Sequence, residues 1–281
     1  MLTSLRSLAK RILGPTLAAK FRRKPEASHT NDFYDSLSFQ VMQRCLNTDS
    51  ISIDVGCHEG LVLRSMLRLS PDGRFYAFEP LPHLFEDLKT RFPSTQITFS
   101  DLALSNETGI VSFNHVVSNT SYSGLRKRTY DRPDETDCTI SVRTDRLDNV
   151  IPQGDHIDLI KIDVEGAELQ VLQGAVATIK RCRPIVIFEH GLGAADSYGT
   201  RPGQIHDLLC GECGLKISLL QRWLDNQKPL SRRAFEEQFD KRKNFMFIAH
   251  PTLSWWQILR NRIKNAQGSV EKPYGSTALS H

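Results

Sequence analysis

The chain has 281 residues, 40% of them apolar and 24% charged, ordinary figures for a soluble globular protein with room for a sizeable core. Its net charge of +4 is uneven: residues 1–24 hold seven Lys/Arg and no acid, and 251–281 hold four and one, leaving 25 basic and 31 acidic residues between them. Basic ends on an acidic body speak against a nucleic-acid-binding core, and no apolar run approaches membrane-spanning length.

The stretch MLTSLRSLAKRILGPTLAAKFRRK places Leu2, Leu5, Leu8, Ile12 and Leu13 near one helical face, with Arg6, Lys10 and Arg11 elsewhere and Gly14-Pro15 as an interruption. Such a segment can lie on an anionic membrane, resembles an organellar transit peptide, or packs as a helix on the body. It lacks the apolar block of a secretory signal. Cysteines at 45, 57, 138, 182, 210 and 213 fit reduced thiols in the cytoplasm better than a disulfide framework. Residues 25–32, PEASHTND, read as a linker. The division is then a basic N-terminal segment and linker over 1–32, a domain over 33–250, and a basic C-terminal helix with a disordered tail over 251–281.

From residue 50 to 190 strand-like and helical runs alternate. SISIDVG leads into a helix over 60–69, RFYAFEP into HLFEDLKTRF, and TQITFSDLALS follows. GIVSFNHVV and CTISVRTDRL form an added β excursion around a polar loop. HIDLIKIDVEG leads into one helix, AELQVLQGAVATIK, and then RPIVIFEHG. GQIHDLLCGEC reads as a helix, LKISLL as a strand and NFMFIAHP as the last strand. This alternation predicts an α/β doubly wound, mostly parallel sheet.

Ligands of such sheets bind beyond the carboxyl ends of the strands. The first strand carries Asp54 and ends in a turn between Gly56 and Gly60, where the backbone can approach a ligand closely. The helix that follows offers free N–H groups to a carboxylate or phosphate. The spacing is G-x-x-x-G, without the middle glycine that admits a dinucleotide pyrophosphate. Glu79, followed by Pro80, is placed to accept hydrogen bonds from ribose hydroxyls. Asp101 and Leu102 can flank a purine. Together they describe a nucleoside with a short charged arm and no diphosphate, the shape of S-adenosyl-L-methionine.

IDVGCHEG, FYAFEPLPHLFEDL, DLALSNETGIVSF, NTSYSGL and IDLIKIDVEGAELQVLQGA with RPIVIFEH occur in the order and spacing of the FkbM family of S-adenosylmethionine-dependent methyltransferases. The chain resembles that family over about residues 50–190. The resemblance implies a class I methyltransferase (Rossmann-like) fold whose last strand is antiparallel, and methyl transfer to a hydroxyl of a sugar, glycolipid or natural product. The chain departs from the family at Cys57-His58-Glu59, where Ala-Asn and a small or apolar residue are common.

An alcohol is a poor nucleophile while protonated, so a positioned base is expected. Asp163, ending the LIKID strand, is the first candidate. Glu165 and His190 are the others, although Glu165 and Glu168 also suit a helix N-terminus and His190 can satisfy loop backbone. Asp163 with Glu189 or His190 could alternatively hold a divalent cation, but no compact ligand motif supports a metal. The loop 118–137 would cover the acceptor, with Tyr122 suiting a polyol and Arg126, Lys127 and Arg128 a phosphate or sugar acid, or it is a solvated hairpin tip. His206, Cys210 and Cys213 read as helix packing rather than a zinc site. The expected partner is a small-molecule or glycan acceptor and no nucleic acid, with peripheral membrane contact open to the N-terminal segment. The competing readings are an NAD-dependent oxidoreductase or epimerase, and a non-catalytic membrane-associated scaffold.

Overall fold

The computed structural model describes residues 31–252, with 131 and 133 excepted. The expectations for the basic segment 1–24, for residues 25–30 of the linker and for the tail from 253 onward lie outside the described residues. Asn31 and Asp32, read as linker, form the first turn of helix α1, Asn31–Cys45. Its Leu37 and Val41, one turn apart, are buried.

A seven-stranded sheet forms the centre. Its strands in chain order are β1 (Ile51–Val55), β2 (Arg74–Phe78), β3 (Ile97–Ser100), β7 (Leu159–Ile162), β8 (Ile185–Glu189), β9 (Lys216–Leu219) and β10 (Met246–His250), and its spatial order is β3-β2-β1-β7-β8-β10-β9. The first five neighbours pair parallel, while β10 is antiparallel to both β8 and β9. That is the sheet expected from the sequence, down to the reversed last strand. The parallel strands read as apolar runs because helices cover both faces; all four residues of β7 are buried.

The β excursion is a separate three-stranded sheet, β4 (Ala103–Leu104), β6 (Asp137–Asp145) and β5 (Gly109–Val116) in that order. β5 and β6 form a hairpin in which Gly109 faces Thr144 and Val116 faces Asp137. A short 3₁₀ turn, Thr120–Tyr122, lies in the loop between them.

The helices α2 (Leu61–Leu69) and α3 (Pro82–Arg91) follow β1 and β2. The single helix expected over 167–180 is two helices, α5 (Glu168–Gly174) and α6 (Val176–Cys182), preceded by the short α4 (Leu147–Val150). Arg146 Nη2 donates to the carbonyl of Gln173 at 3.3 Å, and Asp148 accepts the Ala177 and Thr178 amides at 3.0 and 2.8 Å. These contacts take over backbone groups at the joint, so the chain restarts at Val176. The GQIHDLLCGEC helix is a short α7 (Pro202–His206) continuing as a π-helical turn, Asp207–Glu212. Helices α8 (Leu220–Leu224) and α9 (Arg232–Asp240) lie between β9 and β10. All six cysteines are free. Among the described residues no helix is long and apolar enough to cross a membrane.

Candidate active site

The turn after β1 is held by three residues in left-handed backbone, Gly56 (φ 76°), His58 (φ 46°) and Gly60 (φ 76°). A Cβ at Gly56 would lie 2.0 Å from the carbonyl oxygen of Asp163, so only glycine lets the turn rest against the backbone that leaves β7. The amides of Gly56 and Cys57 both donate to the Phe78 carbonyl, at 3.0 and 3.1 Å. Gly60 behaves differently from its expected ligand approach. A Cβ there would meet Phe92 at 2.7 Å and Leu88 at 2.8 Å, so its bare side serves packing against α3 and the residue after it.

Asp54, Glu79, Asp101 and Asp163 end or follow β1, β2, β3 and β7, four adjacent parallel strands, and therefore occupy one rim. Asp54 is 2% exposed, and its Oδ2 has no hydrogen-bond partner. Burial pushes its carboxyl up to about 7; the ammonium of Lys161, its register partner on β7, opposes the shift, while Asp163 and Glu79 add to it. A hydrogen bond from the Leu63 amide ties it to the first turn of α2, taking one of the donors that the sequence left free for a ligand. Glu79 is also buried, and each of its oxygens accepts one amide, Oε1 from Leu81 and Oε2 from His58, both at 2.9 Å. Burial nevertheless raises it to about 7. Pro80 follows it, half-buried. Asp101 pairs with Arg143 of the second sheet at 2.5 Å in a largely exposed ion pair, whereas Leu102 packs on the core.

A second group stands at the end of β7. Lys161 is 4% exposed in an otherwise apolar strand, and its Nζ donates to Asp163 Oδ2 at 2.8 Å. Burial pushes Glu189 well above the usual carboxylate range, and the neighbouring Asp163 pushes it further. Glu189 thus holds its proton more tightly than Asp163 and is the partner that donates across the pair. Burial acts to raise Asp163 too, but Lys161 and the Glu189 hydrogen bond outweigh it and hold Asp163 low and ionised. Glu165 (φ 57°) lies two residues on, and its carboxylate is paired with Arg128. Asp163, Glu165 and Glu189 can each offer an oxygen within 4.8 Å of the others, which would suit a divalent cation. Two of the three already face a cation of the chain, Lys161 and Arg128. His206, Cys210 and Cys213 form no such group among the described residues.

His190 is not part of the cluster, contrary to the sequence reading. Its ring is fully buried, stacked on Phe239 at 4.7 Å with Phe235 beyond, and both nitrogens lack partners. Burial lowers it to about 4, so it stays neutral inside an aromatic pocket. A base exposed to substrate has to reach the rim, and His190 packs under α9 instead. Glu168 holds the loop after β7, its Oε1 accepting the amides of Val164 at 3.2 Å and Gly166 at 3.1 Å.

The loop 118–137 reaches this rim. The Arg128 guanidinium lies 5.0 Å from the centre of the Tyr122 ring, and the Arg126 amide donates to the Tyr198 hydroxyl at 2.8 Å. Arg126 stacks on Tyr198 and Lys127 pairs with Asp137, so Arg126, Lys127 and Arg128 all have partners within the chain. His58 Nε2 lies 2.7 Å from Thr120 Oγ1. The sequence reading gave no role to Lys161, noted His58 only as a departure from the family, and did not pair Glu165 with Arg128. A lysine in a buried strand was the legible signal, since such a charge requires a partner.

The methyltransferase FkbM domain family matches residues 54–217. The 2-O-methyltransferase NoeI of Sinorhizobium fredii (strain NBRC 101917 / NGR234) is 27% identical over 192 residues, 64% of this chain and 72% of NoeI. The methyltransferase sdnD of Sordaria araneosa is 28% identical over 159 residues, 46% of this chain and 61% of sdnD. The solved methyltransferase FkbM of Methylobacillus flagellatus KT shares 17% identity with a TM-score of 0.49 over 77% of this chain, which spans 48% of that one.

Proposed function

Since this chain belongs to the methyltransferase FkbM family, we propose that its strand-end rim binds S-adenosyl-L-methionine for O-methylation of a sugar, glycolipid or natural-product hydroxyl. The observation that carries this reading is the row of carboxylates on four adjacent strand ends around a glycine turn, with one oxygen, Asp54 Oδ2, buried and unpartnered. A buried acceptor without a donor is costly, and a ligand ammonium or hydroxyl would relieve it. Glu79 fits the ribose, because each oxygen accepts one amide and keeps a lone pair to spare. Asp54 and the turn between Gly56 and Gly60 would hold the amino-acid arm, and Pro80, Asp101 and Leu102 the base end.

The bound donor supplies a methyl group already activated by its sulfonium. The work left to the chain is to place the acceptor hydroxyl in line and to receive its proton. Asp163 is the group we assign to the proton. Lys161 and the Glu189 hydrogen bond keep it ionised, and the hydroxyl becomes strongly acidic as its oxygen is alkylated, so a low-pKa carboxylate within reach suffices. Glu165, tied to Arg128, aligns the acceptor side rather than receiving the proton. The missing middle glycine of the turn stands against the nicotinamide alternative.

The test is transfer of a labelled methyl group from S-adenosylmethionine into metabolite extracts, with mass spectrometry of the product. The wild type is expected to label a hydroxyl-bearing compound. Asp163→Asn is expected to lose about 10²–10⁴-fold in rate while still binding the donor. Labelling of no metabolite would contradict the assignment. We further propose that the seven cations of residues 1–24 hold the protein against anionic membranes. Deleting 1–24 is then expected to abolish sedimentation with phosphatidylserine vesicles, and retained sedimentation would count against it.

A further inference from the structure

One side chain links the two halves of this site. His58 sits in left-handed backbone at φ 46°, a conformation unusual for a residue with a Cβ and one that the surroundings must enforce. Two hydrogen bonds do so. Its amide donates to Glu79 Oε2 at 2.9 Å, and its ring Nε2 shares a hydrogen with Thr120 Oγ1 at 2.7 Å. Thr120 opens the 3₁₀ turn that ends at Tyr122, whose ring faces the Arg128 guanidinium. Arg128 in turn pairs with Glu165, two residues beyond Asp163. The same residue therefore touches the carboxylate at the ribose position and the loop that covers the acceptor side.

Resting on the cofactor reading above, we infer that His58 is a positioning residue that couples cofactor binding to closure of the loop 118–128 over the acceptor. A ribose hydroxyl bonding Glu79 fixes the carboxylate that holds the His58 amide. A fixed His58 presents its ring to Thr120, and the 3₁₀ turn is ordered in consequence. Such coupling needs no large movement, because ordering by the first ligand lowers the cost of ordering for the second. In-line transfer tolerates little misplacement, so a roof that is set when the donor is bound serves the reaction directly.

Amide hydrogen exchange of the loop 118–128, with and without S-adenosylhomocysteine, tests this, alongside calorimetric affinity for the same compound. In the wild type the ligand is expected to slow exchange of the loop. His58→Asn keeps a residue tolerant of left-handed backbone but is too short to reach Thr120. It is expected to lose the ligand-induced protection while affinity changes less than about threefold, the scale of one net hydrogen bond. His58→Gln restores reach and is expected to recover much of the protection. Thr120→Val cuts the same bond from the other side, should the turn tolerate no change at 58. Full protection in both His58→Asn and Thr120→Val would overturn the coupling, as would a wild type that binds with no change in the loop. A wild type that binds no S-adenosylhomocysteine would overturn the cofactor reading itself.

Discussion

Lys161 shows at the scale of one residue how charge and burial shape the site. It lies in a strand whose neighbours are apolar, and Asp54 and Asp163 make that position tenable. Removing one partner of a buried pair typically costs about 3–5 kcal/mol because the other charge is stranded. Lys161→Met is therefore expected to lower stability to urea at pH 8 on the order of 3 kcal/mol, and by less at pH 5.5, where Asp54, with its carboxyl near 7, has taken up a proton. A loss of equal size at both pH values would contradict this account. His190 carries the opposite expectation. An unfolded histidine titrates near 6.5 and this one near 4, so the folded state holds fewer protons in that window and stability falls as pH drops through it. His190→Phe is expected to remove that acid sensitivity and to leave affinity for S-adenosylmethionine unchanged. Loss of donor binding in this variant would return His190 to the site. The sequence placed Asp163 beside the cofactor because it ends an apolar strand, and the same logic extended wrongly to His190. Direction decides between them: one side chain reaches the rim, the other turns into the aromatic layer of Phe235 and Phe239.

Among the elements, the strands were legible and several helices were not. Apolar runs of four to six residues bounded by turn signals marked every strand of the main sheet, and the alternating pattern of GIVSFNHVV and CTISVRTDRL marked the hairpin of the second sheet. Helix α9 escaped notice because RRAFEEQFD buries only Phe235 and Phe239, too narrow a stripe to stand out among its charges. The break between α5 and α6 leaves only Gly174 as a local trace, since Arg146 and Asp148, which take over the backbone groups of the joint, lie upstream in the chain. Asp148 acts as a cap supplied from a distance, and Asp148→Ala is expected to cost about 1–2 kcal/mol, measured by thermal unfolding. No loss would mean that the joint is held by packing alone. The glycine turn gives a sharper expectation. Gly56→Ala places a methyl 2.0 Å from a backbone oxygen at a positive φ, so β1 and β7 would have to part at their carboxyl ends. Loss of soluble folded protein, or of donor binding in whatever folds, is expected; an alanine variant with native affinity would contradict the turn geometry.

The whole molecule keeps an unusual number of protonated carboxyls in its folded state. Asp54, Glu79 and Glu168 sit near 7 and Glu189 well above its usual range, against about 4 for such groups in an unfolded chain. Between these values the folded state binds more protons at these four groups than the unfolded one, so they make stability fall as pH rises from about 5 to 7, against the opposing pull of five histidines that burial lowers, His58, His115, His190, His206 and His250. A higher melting temperature at pH 5.5 than at pH 7.5 is expected, and Asp54→Asn should flatten the difference. A molecule that tolerates such a burden at one rim of its sheet is spending stability on a ligand, which S-adenosylmethionine is expected to be. Isothermal titration of S-adenosylmethionine into the wild type and into Glu79→Gln tests it most directly. One site per chain is expected for the wild type and a loss of at least about tenfold in affinity for the variant, the cost of a weakened charged hydrogen bond. No heat with the wild type, or equal affinity in both proteins, would contradict it.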